Sequence, residues 1–331
     1  MNSLLITIQE EIESTFKDKL KKAKTEEEAQ KIVAEYEKTD ITAIFQSAID
    51  AMSEKTFSYF KETMYEEALK YRADENEFIA RQEQIWYKAF VSSEALYIMS
   101  YECGVKYRDY VSNLTEEIFV AKKWTFIALQ NIHGRALQIY LEILTLMKNG
   151  FADGAYSRWR SLYELAIIAS FILKNGERVA KSFYDSSNTY DRYDWAKSCD
   201  NLAKRKGHIS FRDIEKQCDI NTKAWEQEYI LANQTIHASS QGTFNRLGTK
   251  GNDNVILVGR SDYGITVPGE HSAILLAQIS TMLFTIFPED DTLVQTKVIN
   301  KWVGLVRELY FKSHDEAFPN DEKLWNEEYY D

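Results

Sequence analysis

Only three prolines occur in the 331 residues, Pro268, Pro288 and Pro319, so nothing in the first four-fifths of the chain carries the strongest interruption to a helix. Long helices are expected there. Cysteine is equally scarce. Cys103, Cys199 and Cys218 are odd in number and far apart, without a CxxC or Cys/His spacing, which excludes a disulfide framework and a clamped metal. No metal and no cofactor is expected. Long apolar runs are missing as well: the longest, Leu165–Leu173, is about half of the roughly 20 residues that span a bilayer. The opening Met1–Ile8 stretch lacks the basic start and the apolar length of a signal peptide. The expectation is a cytoplasmic protein without membrane contact. No Walker loop, dinucleotide fingerprint or nucleophile elbow is present, which leaves NTPase, Rossmann and α/β-hydrolase readings without support.

The chain has 44% apolar content, enough for a substantial core as one large domain or two. Its formal charge of −11 counts against a general nucleic-acid binder, because phosphates are held chiefly by Lys and Arg. Much of that charge is local: Ser313–Asp331 carries seven acids against Lys323, a net of −6 that leaves −5 elsewhere. A basic pocket remains compatible with the composition.

Helical periodicity runs through most of the sequence. Leu4, Ile8, Ile12, Phe16 and Leu20 recur every fourth residue. Thr25 and the acids after it start a second helix. Apolar positions between Asp40 and Arg72 continue the period, so residues 1–76 read as an amphipathic helical arm, either solvated or a binding surface. An aromatic-rich helix is expected over Glu77–Ser112 and a very long one from Glu116 to Met147, stopped by Gly150. Further helices follow over Ala152–Lys174, terminated by Gly176, and over Arg178–Lys206, Asn221–Ala238, His271–Phe287 and Asp290–Lys312. Glycines around Val255–Val258 and Ile265–Val267 suggest a small β-hairpin or ordered loop near 254–267. The result is an all-α, multi-helix core over 77–312, closed by an acidic tail over 313–331.

Two constellations could carry chemistry. At 100° per residue Asp153, Ser157, Arg160 and Glu164 share one face of their helix, with Arg160 and Glu164 spaced to pair. The helix continues as Ile167, Ile168 and Phe171, so this stripe points into the protein, as a buried ion pair that fixes register or as a ligand pocket. The second is Asn233 and His237, one turn apart at a helix end before Ser239. A histidine there suits an acid or a phosphate contact, or simply packs. His133, His208, His271 and His314 lack convergent partners and read as structural. Lys197, Lys204, Arg205, Lys206, Arg212 and Lys216 form a solvated face or a phosphate-binding rim.

The run Gly150-Phe-Ala-Asp-Gly-Ala-Tyr-Ser-Arg-Trp-Arg-Ser-Leu-Tyr-Glu164, then Ile236–Ser239, then Gly259–Ile265 and Pro268, resembles a widespread bacterial family labelled as a domain of unknown function, over roughly Trp124–Phe287. That family is distantly similar to HEPN domains, helical bundles found in RNases of toxin and antiphage systems. The resemblance implies a homodimer of bacterial stress or phage defence, with RNA and a partner protein of a defence operon as partners. HEPN nucleases carry an Arg, usually Asn, three variable residues and a His. Here Asn233 and His237 match, and Ala232 stands where the Arg would be. As a metal-independent endoribonuclease the chain would use His237 as acid/base, with Arg160 or Arg158 supplying the missing cation beside Glu164, Asn233, Asp153, Ser157 and Ser239. The alternative is a non-catalytic interaction or sensor module built on the same residues.

Overall fold

The computed structural model describes residues 2–190, 192–237, 239–250 and 256–324. Among these it is all-α: α1 (Asn2–Lys22), α2 (Glu26–Glu37), α3 (Ile41–Ser112), α4 (Glu116–Ala121), α5 (Lys123–Lys148), α6 (Ala152–Asn175), α7 (Glu177–Asp185), α8 (Phe211–Glu215), α9 (Glu226–Ile236), α10 (Ser240–Phe244), α11 (Thr266–Phe284) and α12 (Asp290–Ala317). Short 3₁₀ turns sit at Ser186–Asn188, Asp194–Ser198 and Thr222–Trp225. No described helix is long and apolar enough to cross a membrane.

The chain divides into two units, Met1–Glu75 and Asn76–Asp331, with α3 contributing to each. In the first, α1 and α2 pair through the stacked rings of Phe16 and Tyr36, 4.1 Å between centroids. The Thr25 side chain accepts the Glu28 N–H and caps α2. Along this unit's part of α3, Met52, Phe57, Phe60, Met64 and Leu69 are exposed.

The second unit holds the core. Trp86, Phe90 and Tyr107 of α3 are buried against Tyr310 of α12 and Phe284 of α11. Each large apolar side chain removed from water contributes about 1.5–3 kcal/mol. The α5–α6 and α5–α11 pairs complete it, around Tyr140, Trp159 and Phe171. Gly269 lets α11 pass Tyr310: a Cβ there would lie 2.4 Å from the ring.

Several expected boundaries move. The segments expected as Asp40–Arg72 and Glu77–Ser112 are one helix, α3. The very long helix from Glu116 breaks at Lys122, whose ammonium donates to the Ile286 carbonyl at 2.7 Å, while Glu177 caps the N–H groups of Trp124 and Thr125 at 2.8 Å each. The Arg178–Lys206 helix ends at Asp185 and gives way to 3₁₀ turns. Of the two readings for 254–267, the described part is the loop. Thr266 and Val267 open α11, with Pro268 in its first turn, where a missing N–H costs nothing. Val255 lies outside the described residues. Beyond Lys312, α12 continues to Ala317, with Ser313, His314 and Phe318 buried.

Candidate functional site

Helix α6 begins where Gly150, at φ +75°, turns the chain back after α5; a Cβ there would meet the Phe78 ring at 2.5 Å. The loop after α10 is knitted to the same corner: Ser261 N–H donates to the Gly150 carbonyl at 3.0 Å, and Arg260 to the Asn149 carbonyl at 2.9 Å. The family-like glycine blocks therefore form a structural junction. Gly176, at φ +77°, ends α6. Between these stops Ala155, Trp159, Leu162, Ala166 and Ile167 are buried, leaving two polar flanks.

One flank faces α9. Asp153 accepts the Leu247 N–H at 3.0 Å, and the Ser157 and Thr235 hydroxyls meet at 3.0 Å. Arg160 and Glu164 pair at 2.7 Å. The Tyr229 hydroxyl receives hydrogen bonds from Arg160 at 3.4 Å and donates to Glu164 at 3.1 Å. Burial raises the Tyr229 pKa, opposed by Arg160 and reinforced by Glu164. Burial works to lower the Arg160 pKa, and Tyr229 and Glu164 outweigh it, so the guanidinium stays charged. The stripe is half-buried: the Arg160 and Glu164 side chains are 22% and 12% exposed.

Asn233 and His237 do not join it. His237 is the exposed cap residue of α9, its N–H bonded to the Asn233 carbonyl at 3.2 Å. Among the described residues no hydrogen bond or ion pair links either side chain to Arg160 or Glu164. Ser239 caps α10 by accepting the Gly242 N–H at 3.0 Å and donates to the Gln234 carbonyl at 3.2 Å, a role in the turn itself. In the basic cluster, Lys197 pairs with Asp194 and Arg205 with Asp213, both at 3.0 Å, so two of its cations tie down their own segment.

The other flank of α6 faces α5 and the turns after α7. Arg158 pairs with Glu142, which also lies 3.6 Å from Arg135, and Arg192 pairs with Glu164 at 2.8 Å. Arg135, Arg158, Ser161, Arg192 and Tyr193 line a cavity of about 270 Å³. Three guanidiniums from three segments converge there against two carboxylates, with Arg160 sharing Glu164 from the other face. Burial, with Glu164 nearby, pushes the Tyr193 phenol up to about 12, so it stays a neutral donor. Guanidinium forks and hydroxyl donors suit the binding of an oxyanion.

Residues 126–198 match the model of a family of unknown function (DUF5677). Neither the curated proteins nor the solved structures gave a match. The DUF5677 segment contains every residue named above as lining the arginine cavity, together with Arg160 and Glu164. It ends short of the expected Trp124–Phe287 span. Asn233, His237, Ser239 and the Gly259–Pro268 block fall outside it.

Sequence reasoning overlooked Arg135, Arg192 and Tyr193. Arg135 had a signal, since Glu142 lies two helical turns away on the same face of α5. Arg192 had none, because it stands in a turn without periodicity. His271, expected to be structural, has convergent partners that its sequence neighbourhood does not announce. Its ring packs among Tyr156, Trp159 and Trp225, with Nε2 3.4 Å from Glu270 and Nδ1 3.9 Å from Glu228. Arg307 donates to Glu270 at 2.9 Å. Burial works to raise the Glu270 carboxyl, and His271 and Arg307 outweigh it, so its pKa lies below the usual value. The cluster joins α6, α9, α11 and α12 and reads as an internal clamp.

Proposed function

We propose that this is a HEPN-like helical protein of bacterial stress or phage defence that acts as a binding module, holding the phosphates of RNA in the arginine cavity between α5, α6 and the turns after α7. One observation carries the reading: Arg135, Arg158 and Arg192 converge on one cavity beside Ser161. Each guanidinium presents several donors in a plane that matches phosphate oxygens. Their carboxylate partners, Glu142 and Glu164, offset part of the positive charge and are displaced when an oxyanion binds. The exposed, unlinked His237 favours binding over cleavage by the expected acid/base pair.

The test is fluorescence anisotropy of a labelled single-stranded RNA with the full chain and with Arg135→Ala, Arg158→Ala and Arg192→Ala. Each change should weaken binding by about tenfold, the loss of one charge-assisted contact. Thermal melts and circular dichroism accompany each variant. RNA binding that is indifferent to all three changes in folded proteins overturns the assignment.

A further inference from the structure

A second cavity, of about 380 Å³, shares Phe183, Arg192 and Trp195 with the arginine cavity. Its chemistry differs. Ile127 of α5, Phe183 of α7 and Trp195 give it apolar walls, while Asn131, Ser187 and Thr189 supply polar groups. Trp195 is 6% exposed and stands nearly perpendicular to Phe171 and Phe183, at 5.8 and 4.9 Å between centroids, so this wall is preset. Its indole N–H donates to the Arg192 carbonyl at 3.1 Å, and Ser182 and Ser198 donate to its own carbonyl at 3.1 and 2.7 Å. The residue that walls the second cavity therefore also fixes the backbone of the shared guanidinium. Asn131 donates its amide to the Ile127 carbonyl at 2.8 Å, which leaves its side-chain oxygen as an acceptor; Thr189 donates to Ser186 and keeps its acceptor lone pairs.

An inorganic anion would use only the arginines, and an apolar molecule only the aromatic walls. An alkyl phosphate would ignore Asn131, Ser187 and Thr189. A phosphate ester carrying a flat heterocycle uses all of them, and a cavity of this size lies in the range of small-molecule sites. We propose that the two cavities form one nucleotide site, in which the arginines hold the phosphate and the base of the same nucleotide lies in the second cavity against the wall of Ile127, Phe183 and Trp195. This rests on the phosphate reading of the arginine cavity. The nucleotide is either free or a unit of an RNA strand.

The experiment is calorimetric titration of the full chain with adenosine, cytidine, guanosine and uridine 5′-monophosphates, inorganic phosphate, the four nucleosides and a short RNA. At least one monophosphate should bind about tenfold or more tightly than both phosphate and its own nucleoside. A free nucleotide that binds as tightly as the RNA identifies the metabolite as the source; a large advantage for RNA identifies the strand. Ser187→Trp, at an exposed position on the second cavity, should erase the nucleotide's advantage while leaving phosphate binding intact, and Arg192→Ala should weaken both. Circular dichroism checks folding, and Asn131→Ala serves as the milder variant, expected to weaken nucleotide but not phosphate. If phosphate binds and no nucleotide binds more tightly, the shared site is wrong and the arginine cavity stands alone. If neither phosphate nor RNA binds, the phosphate reading fails and takes the nucleotide site with it.

Discussion

Glu164 on α6 holds Arg192, from the turn after α7, at 2.8 Å through one carboxylate oxygen while its other oxygen stays with Arg160 at 2.7 Å. One acid thus joins the α9 flank to the arginine cavity. Glu164→Gln removes the charge but keeps the shape, so it should act in opposite directions on two measurements. Stability should fall by about 1.5–3 kcal/mol in urea unfolding, the scale of a hydrogen bond to a charged group. Anion affinity should rise, because two guanidiniums lose their resident partner. The exposed pair Lys17–Glu13 provides the contrast: Glu13→Gln should change stability by no more than about 1 kcal/mol. A Glu164 variant that is weaker in both measurements would falsify the displaceable-partner picture.

His133 gives the core an acid-sensitive point. Its ring is buried, with Nε2 3.1 Å from the Ser280 hydroxyl, and burial pushes its pKa down from 6.5 to about 4. The unfolded chain takes up a proton near 6.5 while the fold resists until about 4. Below 6.5, protons therefore favour unfolding, and stability should decline through that window by an amount on the order of 3 kcal/mol. His133→Leu should flatten that part of the stability profile. An unchanged slope between pH 6.5 and 4 in the variant would assign the acid sensitivity to other groups.

Two glycines on α11 and α12 should respond to alanine with opposite signs. At Gly269 the new methyl would meet the Tyr310 ring at 2.4 Å, an overpacked contact expected to cost about 1–3 kcal/mol or more. At Gly304, exposed within α12, nothing lies within 4 Å of the Cβ position, and better helix propensity should stabilise by up to about 1 kcal/mol. Differential scanning calorimetry of both variants reads the two signs directly. A lower melting temperature for Gly304→Ala would contradict the open environment of that position.

Periodicity made the helices legible because most of them bury one face, and Gly150 and Gly176 marked true ends since only glycine adopts their backbone angles without strain. The break at Lys122 was hidden. It depends on Glu177 and Ile286, partners far along the chain, and no proline or glycine announces it. The Arg160–Glu164 pair was visible as an i,i+4 spacing, but Arg192 reached it from an irregular turn shaped by Trp195 and Asp194. His237 follows Asn233 by one turn and is the extended cap residue that closes α9, yet a local spacing says nothing about the distance to α6. Tertiary convergence of that kind is written in the packing of several elements at once.

Salt dependence should report how many arginines meet phosphate. Neutralising phosphates of a single strand gives a slope of log K against log salt of about −0.7 for each contact. If Arg135, Arg158 and Arg192 together hold one phosphate, as in the nucleotide site, the triple alanine variant should flatten the slope by about 0.7, whereas a change of about 2 would mean that each takes a phosphate of its own. A slope unchanged in the triple variant would place the phosphates elsewhere on the molecule, with the Lys204–Lys206 segment the next surface to test.

His237 decides between a binder and a ribonuclease. It is exposed at the end of α9, and its two hydrogen bonds, its N–H to the Asn233 carbonyl and its carbonyl from the Ser239 N–H, are backbone ones that an alanine keeps. His237→Ala should therefore change the unfolding free energy by no more than a neutral surface change does, about 0.5 kcal/mol. Because the fold survives, the variant isolates chemistry from stability. Wild-type protein incubated with RNA in EDTA should leave the strand intact while still binding it, since no described side chain connects His237 to the guanidiniums that would steady a developing phosphorane. Cyclic-phosphate products from wild type, lost in the folded His237→Ala variant and retained in Arg135→Ala, would overturn the binding-module reading and make His237 the acid/base of a nuclease. Cleavage that persists in His237→Ala would point instead to a contaminating enzyme, which a second purification step should remove together with the activity.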